Sequence, residues 1–236
     1  MKRLSASVAV AILALSWVIS SATPAASQDT PPRMKAYQMV FLRDATNPPA
    51  GSAGTPEMRK AHIDFLLKLS AECINLLSGP FGDGGNLRGI VVLDVSDASA
   101  ALKILAEEPY VKAGLMVAEA KPWLGPKDAF HLPSETQELE RFVFGFLMSG
   151  PNRNQSEEVA AEIQKGHLAY TAELHKQGKL VVAGPFLDDS DWRGVVIYKV
   201  ATVDEAKKLA AEDPAVKAGR LVLDARPWMT FKGILS

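Results

Sequence analysis

His167 is followed by Gly184-Pro185-Phe186-Leu187-Asp188, Arg193-Gly194, Asp213-Pro214-Ala215-Val216-Lys217-Ala218-Gly219 and Pro227-Trp228. The first half of the chain carries the same features in the same order: His62, Gly79-Pro80-Phe81-Gly82-Asp83, Arg88-Gly89, Glu108-Pro109-Tyr110-Val111-Lys112-Ala113-Gly114 and Pro122-Trp123. A constant shift of 105 positions carries His62 onto His167, Gly79 onto Gly184, Arg88 onto Arg193, Pro109 onto Pro214 and Trp123 onto Trp228 without a gap. An ungapped internal repeat means one structural unit used twice. The 236 residues therefore divide into two small domains.

Within the first unit, Ala36 to Arg43 alternates as a strand, and a turn-rich loop covers Asn47 to Ser52. Thr55-Pro56-Glu57 opens a helix running to about Glu72: Thr caps, Pro takes the first helical position and Glu meets the positive end of the dipole. Strands are predicted at Ile74 to Ser78, stopped by Gly79-Pro80, and at Gly89 to Val95. Ser96-Asp97 caps a second helix to Glu107, and a last strand covers Leu115 to Lys121, ending at Pro122-Trp123. The order β-α-β-β-α-β is the split arrangement of a ferredoxin-like unit. The second unit repeats it with strands at Phe142 to Met148, Leu180 to Ala183, Val195 to Val200 and Leu221 to Arg226, and helices from Glu157 to Gln177 and from the capping box Thr202-Val203-Asp204-Glu205. The fold class is thus α+β. Each sheet has helices on one face and needs cover on the other, so the two units are expected to pack sheet to sheet as an intrachain pseudo-dimer.

The expected organisation is a signal peptide over 1–27, a tether over 28–35, domains over 36–124 and 141–231, and a linker over 125–140. Lys2-Arg3, the apolar run from Leu4 to Ile19 and the small residues through Ala22 and Ser27 form the three regions of a secretory signal, with cleavage after Ala22 or Ser27. That run is shorter than the about 20 residues of a spanning helix, so the expectation is an exported, periplasmic or secreted protein, soluble after cleavage. Lys+Arg of 26 against Asp+Glu of 27, with no basic block, excludes an electrostatic footprint for nucleic acid. The single Cys73 forbids an intrachain disulfide and reads as a small core residue.

The His on the first helix, the Gly-Pro-Phe-x-Asp after strand two, the Asp-Pro-x-Val-x-Ala-Gly before strand four and the closing Pro-Trp resemble the YCII-related family, over residues 37 to 125 and 142 to 230. In the first unit Glu108 replaces the Asp of the most specific stretch. The resemblance implies a dimeric α+β barrel and a histidine–aspartate pair, which maps onto His62 with Asp83 and His167 with Asp188. One branch of the family is linked to removal of chloride from a chlorinated aromatic, and the broader barrel superfamily includes lactone isomerases.

The residues support two readings of these positions. His62 stands four after Met58 and three before Phe65, and His167 stands likewise to Ile163 and Tyr170, so each leans toward the sheet-facing stripe. Strand two ends where helix one starts, which is expected to bring Asp83 or Asp188 to its histidine and Arg88 or Arg193 to the same rim. In the functional reading the Asp orients the ring, the other nitrogen serves as general base or acid, and the Arg holds an anionic oxygen. In the structural reading the Asp caps its loop, the His is a satisfied half-buried side chain and the Arg is a surface ion partner. His, Asp and Arg coincide between the copies while neighbours differ, Asp64 against Ala169 and Lys68 against Glu173, which favours function. Phe81 and Phe186 either line a pocket or plug the core, Trp123 and Trp228 seal the mouth of the barrel, and any of Asp188, Asp189 and Asp191 is placed to meet His167. One His and one Asp per unit fall short of the three or four ligands of zinc, so no metal is expected. No phosphate, dinucleotide or serine-nucleophile motif is present. The expectation is a cofactor-independent enzyme, an isomerase or a dehydrochlorinase-like lyase, moving a proton on a small organic molecule. The alternative is a non-catalytic periplasmic binding module, and homo-oligomerisation through the helical faces stays open.

Overall fold

The computed structural model describes residues 33–49, 54–133 and 138–235. The signal peptide expected over 1–27 lies outside them, and the last residues of the expected tether already belong to a strand. The first unit runs β1 (Met34–Asp44), α1 (Pro56–Ala71), β2 (Asn75–Pro80), β3 (Leu87–Leu93), α2 (Ala98–Leu105), α3 (Pro109–Lys112) and β4 (Met116–Pro126). The second runs β5 (Leu139–Ser149), α4 (Glu157–Lys176), β6 (Leu180–Pro185), β7 (Trp192–Tyr198), α5 (Val203–Glu212), α6 (Pro214–Lys217) and β8 (Leu221–Phe231).

The helices start where their caps place them. Thr55 accepts from the Met58 amide at 3.1 Å, Asp97 from Ala100 at 2.9 Å and Thr202 from Glu205 at 3.1 Å, each pairing an amide that a helix start leaves without an internal partner. α1 and α4 end in the same left-handed residue, Cys73 at φ 57° and Gly178 at φ 67°. Glycine adopts this conformation freely, whereas a residue with a Cβ is strained there. Cys73 is exposed at this turn and is not the core residue expected from its type.

The two antiparallel sheets have the orders β2-β3-β1-β4 and β6-β7-β5-β8. Helices cover one face of each. Val40, Leu42, Val91 and Leu93 meet Leu66, Leu69, Ala101 and Leu105 in the first unit, and Val143, Leu147 and Val196 meet Leu174 and Ala206 in the second. The other faces turn toward each other and share one core, in which Tyr37, Phe41, Phe81 and Trp123 pack with Phe144, Phe146, Phe186 and Trp228. The alternation of each strand delivers these two sets, one to the helices and one to the partner sheet.

Edge strands close the structure into a barrel. β4 and β8 do not stop at Pro-Trp as the sequence implied; they continue to Pro126 and Phe231, with Tyr37 opposite Trp123 and Phe142 opposite Trp228. The extra length lets each reach the other unit. Gly82 donates its amide to the Pro227 carbonyl and Leu187 to the Pro122 carbonyl, both at 2.8 Å. The Trp228 indole donates to the Gly79 carbonyl and the Trp123 indole to the Gly184 carbonyl, both at 2.9 Å. A Cβ at Gly79 would lie 1.8 Å from the Met229 carbonyl oxygen, and one at Gly184 would lie 1.9 Å from that of Leu124. Only glycine permits this approach.

Gly79→Ala or Gly184→Ala is therefore expected to destabilise by about 2–3 kcal/mol or more, because backbone faces backbone and neither can yield. Gly82→Ala, where the nearest atoms stand 3.8 Å from the new Cβ, is the tolerated control. Denaturant midpoints of the three variants check this; equal midpoints would contradict the seam.

Candidate functional site

α3 and α6 are single turns that begin with an acid and a proline. Glu108 is the N-cap of α3, its carboxylate accepting from the amides of Tyr110 at 3.1 Å and Val111 at 2.9 Å. Asp213 caps α6 in the same way, accepting from Ala215 at 2.8 Å. Proline at the first helical position has no amide to satisfy and fixes φ for the turn. Each carboxylate then has an oxygen facing the long helix beside it. Glu108 meets His62 Nδ1 on α1 at 2.8 Å, and Asp213 meets His167 Nδ1 on α4 at 2.6 Å. Glu108 is wholly buried and Asp213 nearly so, while the histidine side chains keep 23% and 13% of their surface exposed.

An ionised carboxylate only accepts, so Nδ1 carries the proton in each pair. The neutral ring then presents Nε2 as a bare lone pair, directed away from the acid. Asp213 also acts at a distance: burial first, and then its negative charge, push the phenol of the buried Tyr198 well above the ordinary tyrosine value.

The surroundings of the two pairs differ. In the first unit the Tyr110 ring stands edge-on to His62, with centroids 5.4 Å apart, and a Cβ at Gly54 would lie 3.0 Å from the same ring. The residue 105 positions after Tyr110 is Ala215. Next to the second pair lies an open apolar depression of about 460 Å³ lined by Glu158, Val159, Glu162, Ile163 and Pro214.

The expected pairing of His62 with Asp83 and of His167 with Asp188 is not the one the fold makes. β2 and β6 pass through Gly-Pro into the seam, and the aspartates that follow are carried to the opposite unit. Asp83 meets Arg226 at 3.2 Å and the Gly85 amide at 3.0 Å; Asp188 meets Lys121 at 2.9 Å and the Ser190 hydroxyl at 2.7 Å. Lys121 and Arg226 are themselves 105 positions apart, so the two ion pairs are equivalent across the repeat. Phe81 and Phe186 lie in the shared core, 8% and 6% exposed, against Phe144 and Phe41. Trp123 and Trp228 are buried in the same core. Arg88 is neutralised by Asp44 at 2.8 Å, whereas Arg193 donates to the Ser149 hydroxyl at 2.9 Å. The two acids that do reach the histidines were visible as Glu-Pro and Asp-Pro, the signature of a capped turn, with the same 46-residue spacing from His in both copies.

The model of the YCII-related domain matches residues 39–124 and again 145–229. The chain belongs to this family, carrying its domain twice. No curated protein matches it. Among solved structures, a heme-binding protein from Thermus thermophilus aligns with TM-score 0.52 at 13% identity, covering 85% of this chain and 93% of that one. A mutant chlorite dismutase from Candidatus Nitrospira defluvii aligns with TM-score 0.54 at 8% identity, covering 83% and 91%. At these identities the likeness is one of fold, the α+β barrel of two fused units. No helix among the described residues is long and apolar enough to cross a membrane.

The Asp188–Lys121 pair makes stability depend on acid. Burial alone would push the Asp188 carboxyl up, but the hydrogen bonds from Lys121 and Ser190 and the Lys121 charge outweigh it and hold it below the ordinary aspartate value. A carboxyl depressed on folding contributes stability that is full above its unfolded pKa of about 3.9 and disappears as pH falls through the lower folded value. Thermal melting should therefore show Asp188→Asn less stable than the native chain at neutral pH, with the gap narrowing as the pH drops below about 4. A gap independent of pH would contradict the pairing.

Proposed function

We propose that the chain is an exported, cofactor-independent enzyme that moves a proton on a small organic molecule, with His62 and His167 as the bases and Glu108 and Asp213 as the residues that position them. The observation that carries this is the repeated pair. In two copies with different surroundings, a buried acid holds Nδ1 of a ring that stays partly exposed, and Nε2 faces away from that acid. An imidazole in that state abstracts a proton with Nε2 and returns it at a neighbouring atom, the chemistry of an isomerase or of an elimination. The buried acid stabilises the imidazolium formed in between and keeps the ring from rotating. Binding without turnover, as a periplasmic small-molecule module, is the second reading; the apolar depression beside the His167 pair supports it equally well.

Heme, named for one of the structural neighbours, does not fit the interior of this barrel. Phe41, Phe146, Phe186 and Trp192 stand ring to ring with centroids 4.7 to 6.1 Å apart, and none of the four histidines is among the residues filling that core.

A test needs no knowledge of the substrate. p-Nitrophenyl acetate is attacked by an imidazole nitrogen with a free lone pair, so the protein is expected to release nitrophenol faster than buffer. His62→Gln with His167→Gln should remove most of the excess, leaving the share of the exposed His175, whose Nδ1 donates to the Leu180 carbonyl at 2.9 Å; Asp213→Asn should reduce it, and His131→Gln should leave it unchanged. A double variant as reactive as the native chain would overturn the reading. If most of the excess is lost yet no lactone or chlorinated aromatic is turned over, the binding reading stands.

A further inference from the structure

The rim where β5 ends and β7 and β8 begin is different in the two units. In the first, Arg88 on β3 is matched by Asp44 at the end of β1, with Nε to Oδ1 at 2.8 Å. In the second, Arg193 has only the Ser149 hydroxyl at 2.9 Å, because Ser149 stands 105 positions after Asp44. Two further cations have been added at the same place. Arg153 and Arg220 stand where the first unit has Pro48 and Leu115. The second rim has three cations where the first has one, together with Asp191, which stands where the first unit has Asn86 and whose backbone carbonyl accepts from the Ser149 amide at 2.8 Å; none of the three arginines has a carboxylate within ion-pair distance among the described residues.

The backbone holds the three arginines together. Gly150 and Asn152 donate their amides to the carbonyls of Arg220 and Gly219 at 2.8 and 3.0 Å, docking the loop after β5 against the start of β8. Arg153 Nη1 donates to the Arg220 carbonyl at 3.2 Å, and Arg220 Nη1 donates to Gln155 Oε1 at 2.7 Å. Gln155 is held in turn by the carbonyls of Asn152 at 3.1 Å and Ala218 at 3.5 Å. Each of these bonds uses part of a guanidinium, which has five donors, so donors remain on all three. Arg193 and Arg220 are half-buried and Arg153 is exposed, an opening on one side. Burial first, and then the charges of Arg193 and Arg220, hold Arg153 below the ordinary arginine value; no acid enters the balance.

We infer that Arg153, Arg193 and Arg220 form an anion site on the second unit alone, whose ligand is a compact dianionic oxyanion: phosphate, or the phosphate head of a small ester. Like charges assembled without a carboxylate in contact cost stability, and a planar guanidinium fork matches the oxygens of such an anion. The site is independent of the His167 pair, so either can fail without the other.

Thermal melting of the mature protein tests it, with inorganic phosphate titrated against sodium chloride of matched ionic strength. A ligand that binds the folded state alone raises the melting temperature, so phosphate should raise it where chloride does not. Ser149→Asp restores the acid that the first unit has. It is expected to raise the melting temperature without phosphate and to weaken the phosphate response by roughly tenfold or more in apparent Kd, the loss of one charge-assisted bond. Arg153→Gln, at an exposed position, should weaken the response to a similar degree without affecting folding, and Ser149→Ala should keep it. Phenyl phosphate binding more tightly than phosphate would assign the site to an ester; equal or weaker binding would assign it to the free ion. A native response no greater than that to chloride, or an unchanged response in both Ser149→Asp and Arg153→Gln, overturns the inference.

Discussion

The barrel depends on the close approach of β2 to β8 and of β6 to β4, where glycine faces a carbonyl with no space for a Cβ. Two indole donors, two backbone bonds and the pairs Asp83–Arg226 and Asp188–Lys121 are all gathered at these two lines of contact. The aromatic core between the sheets is sealed because the edges meet. Deleting a side chain such as Trp228 from it would cost about 3–5 kcal/mol, so the glycines, which contribute no burial themselves, control a large apolar term. Fusing the units into one chain keeps both seams and lets each copy vary, since neither must pair with itself.

The two copies differ in the shared core, with Met39 against Phe144 and Leu87 against Trp192, and on the outside as well. Glu108 and Asp213 differ by a methylene yet do the same two jobs, capping a single turn and holding a histidine ring. Such a cap is pinned by the backbone amides, which fixes the acid more firmly than an ion pair on a surface loop would. The neighbours of the ring are free to change, as Tyr110 against Ala215 shows. At the rim the difference is larger, with an Arg–Asp pair in one unit and three arginines in the other.

Much of the fold was legible because it follows local rules. The 105-residue shift marked the duplication, the caps at Thr55, Asp97 and Thr202 marked helix starts, and strand alternation implied a second covered face for each sheet. The site was half legible. The position in the repeat marks the histidines, but the topology points to the wrong partner, the Asp in the loop after Gly-Pro. That Asp belongs to the seam, and only the long-range contact of Gly82 with Pro227 and of Leu187 with Pro122 reveals where it goes. The Glu-Pro and Asp-Pro pairs carried the missing signal in cap chemistry. The arginine rim is not legible because Arg153 and Arg220 come together where the loop after β5 donates to the carbonyls of Gly219 and Arg220, which no spacing announces.

The central claim is that buried acids fix both rings with the proton on Nδ1 and the lone pair on Nε2. Nitrogen-15 NMR of the imidazoles above the range where histidine protonates reads the tautomer directly. His62 and His167 are predicted to show a protonated Nδ1 coupled to a slowly exchanging proton and an unprotonated Nε2, with the assignment lost on Glu108→Ala and Asp213→Ala. Rings that show the ordinary Nε2–H tautomer, or that are insensitive to those two substitutions, would contradict it.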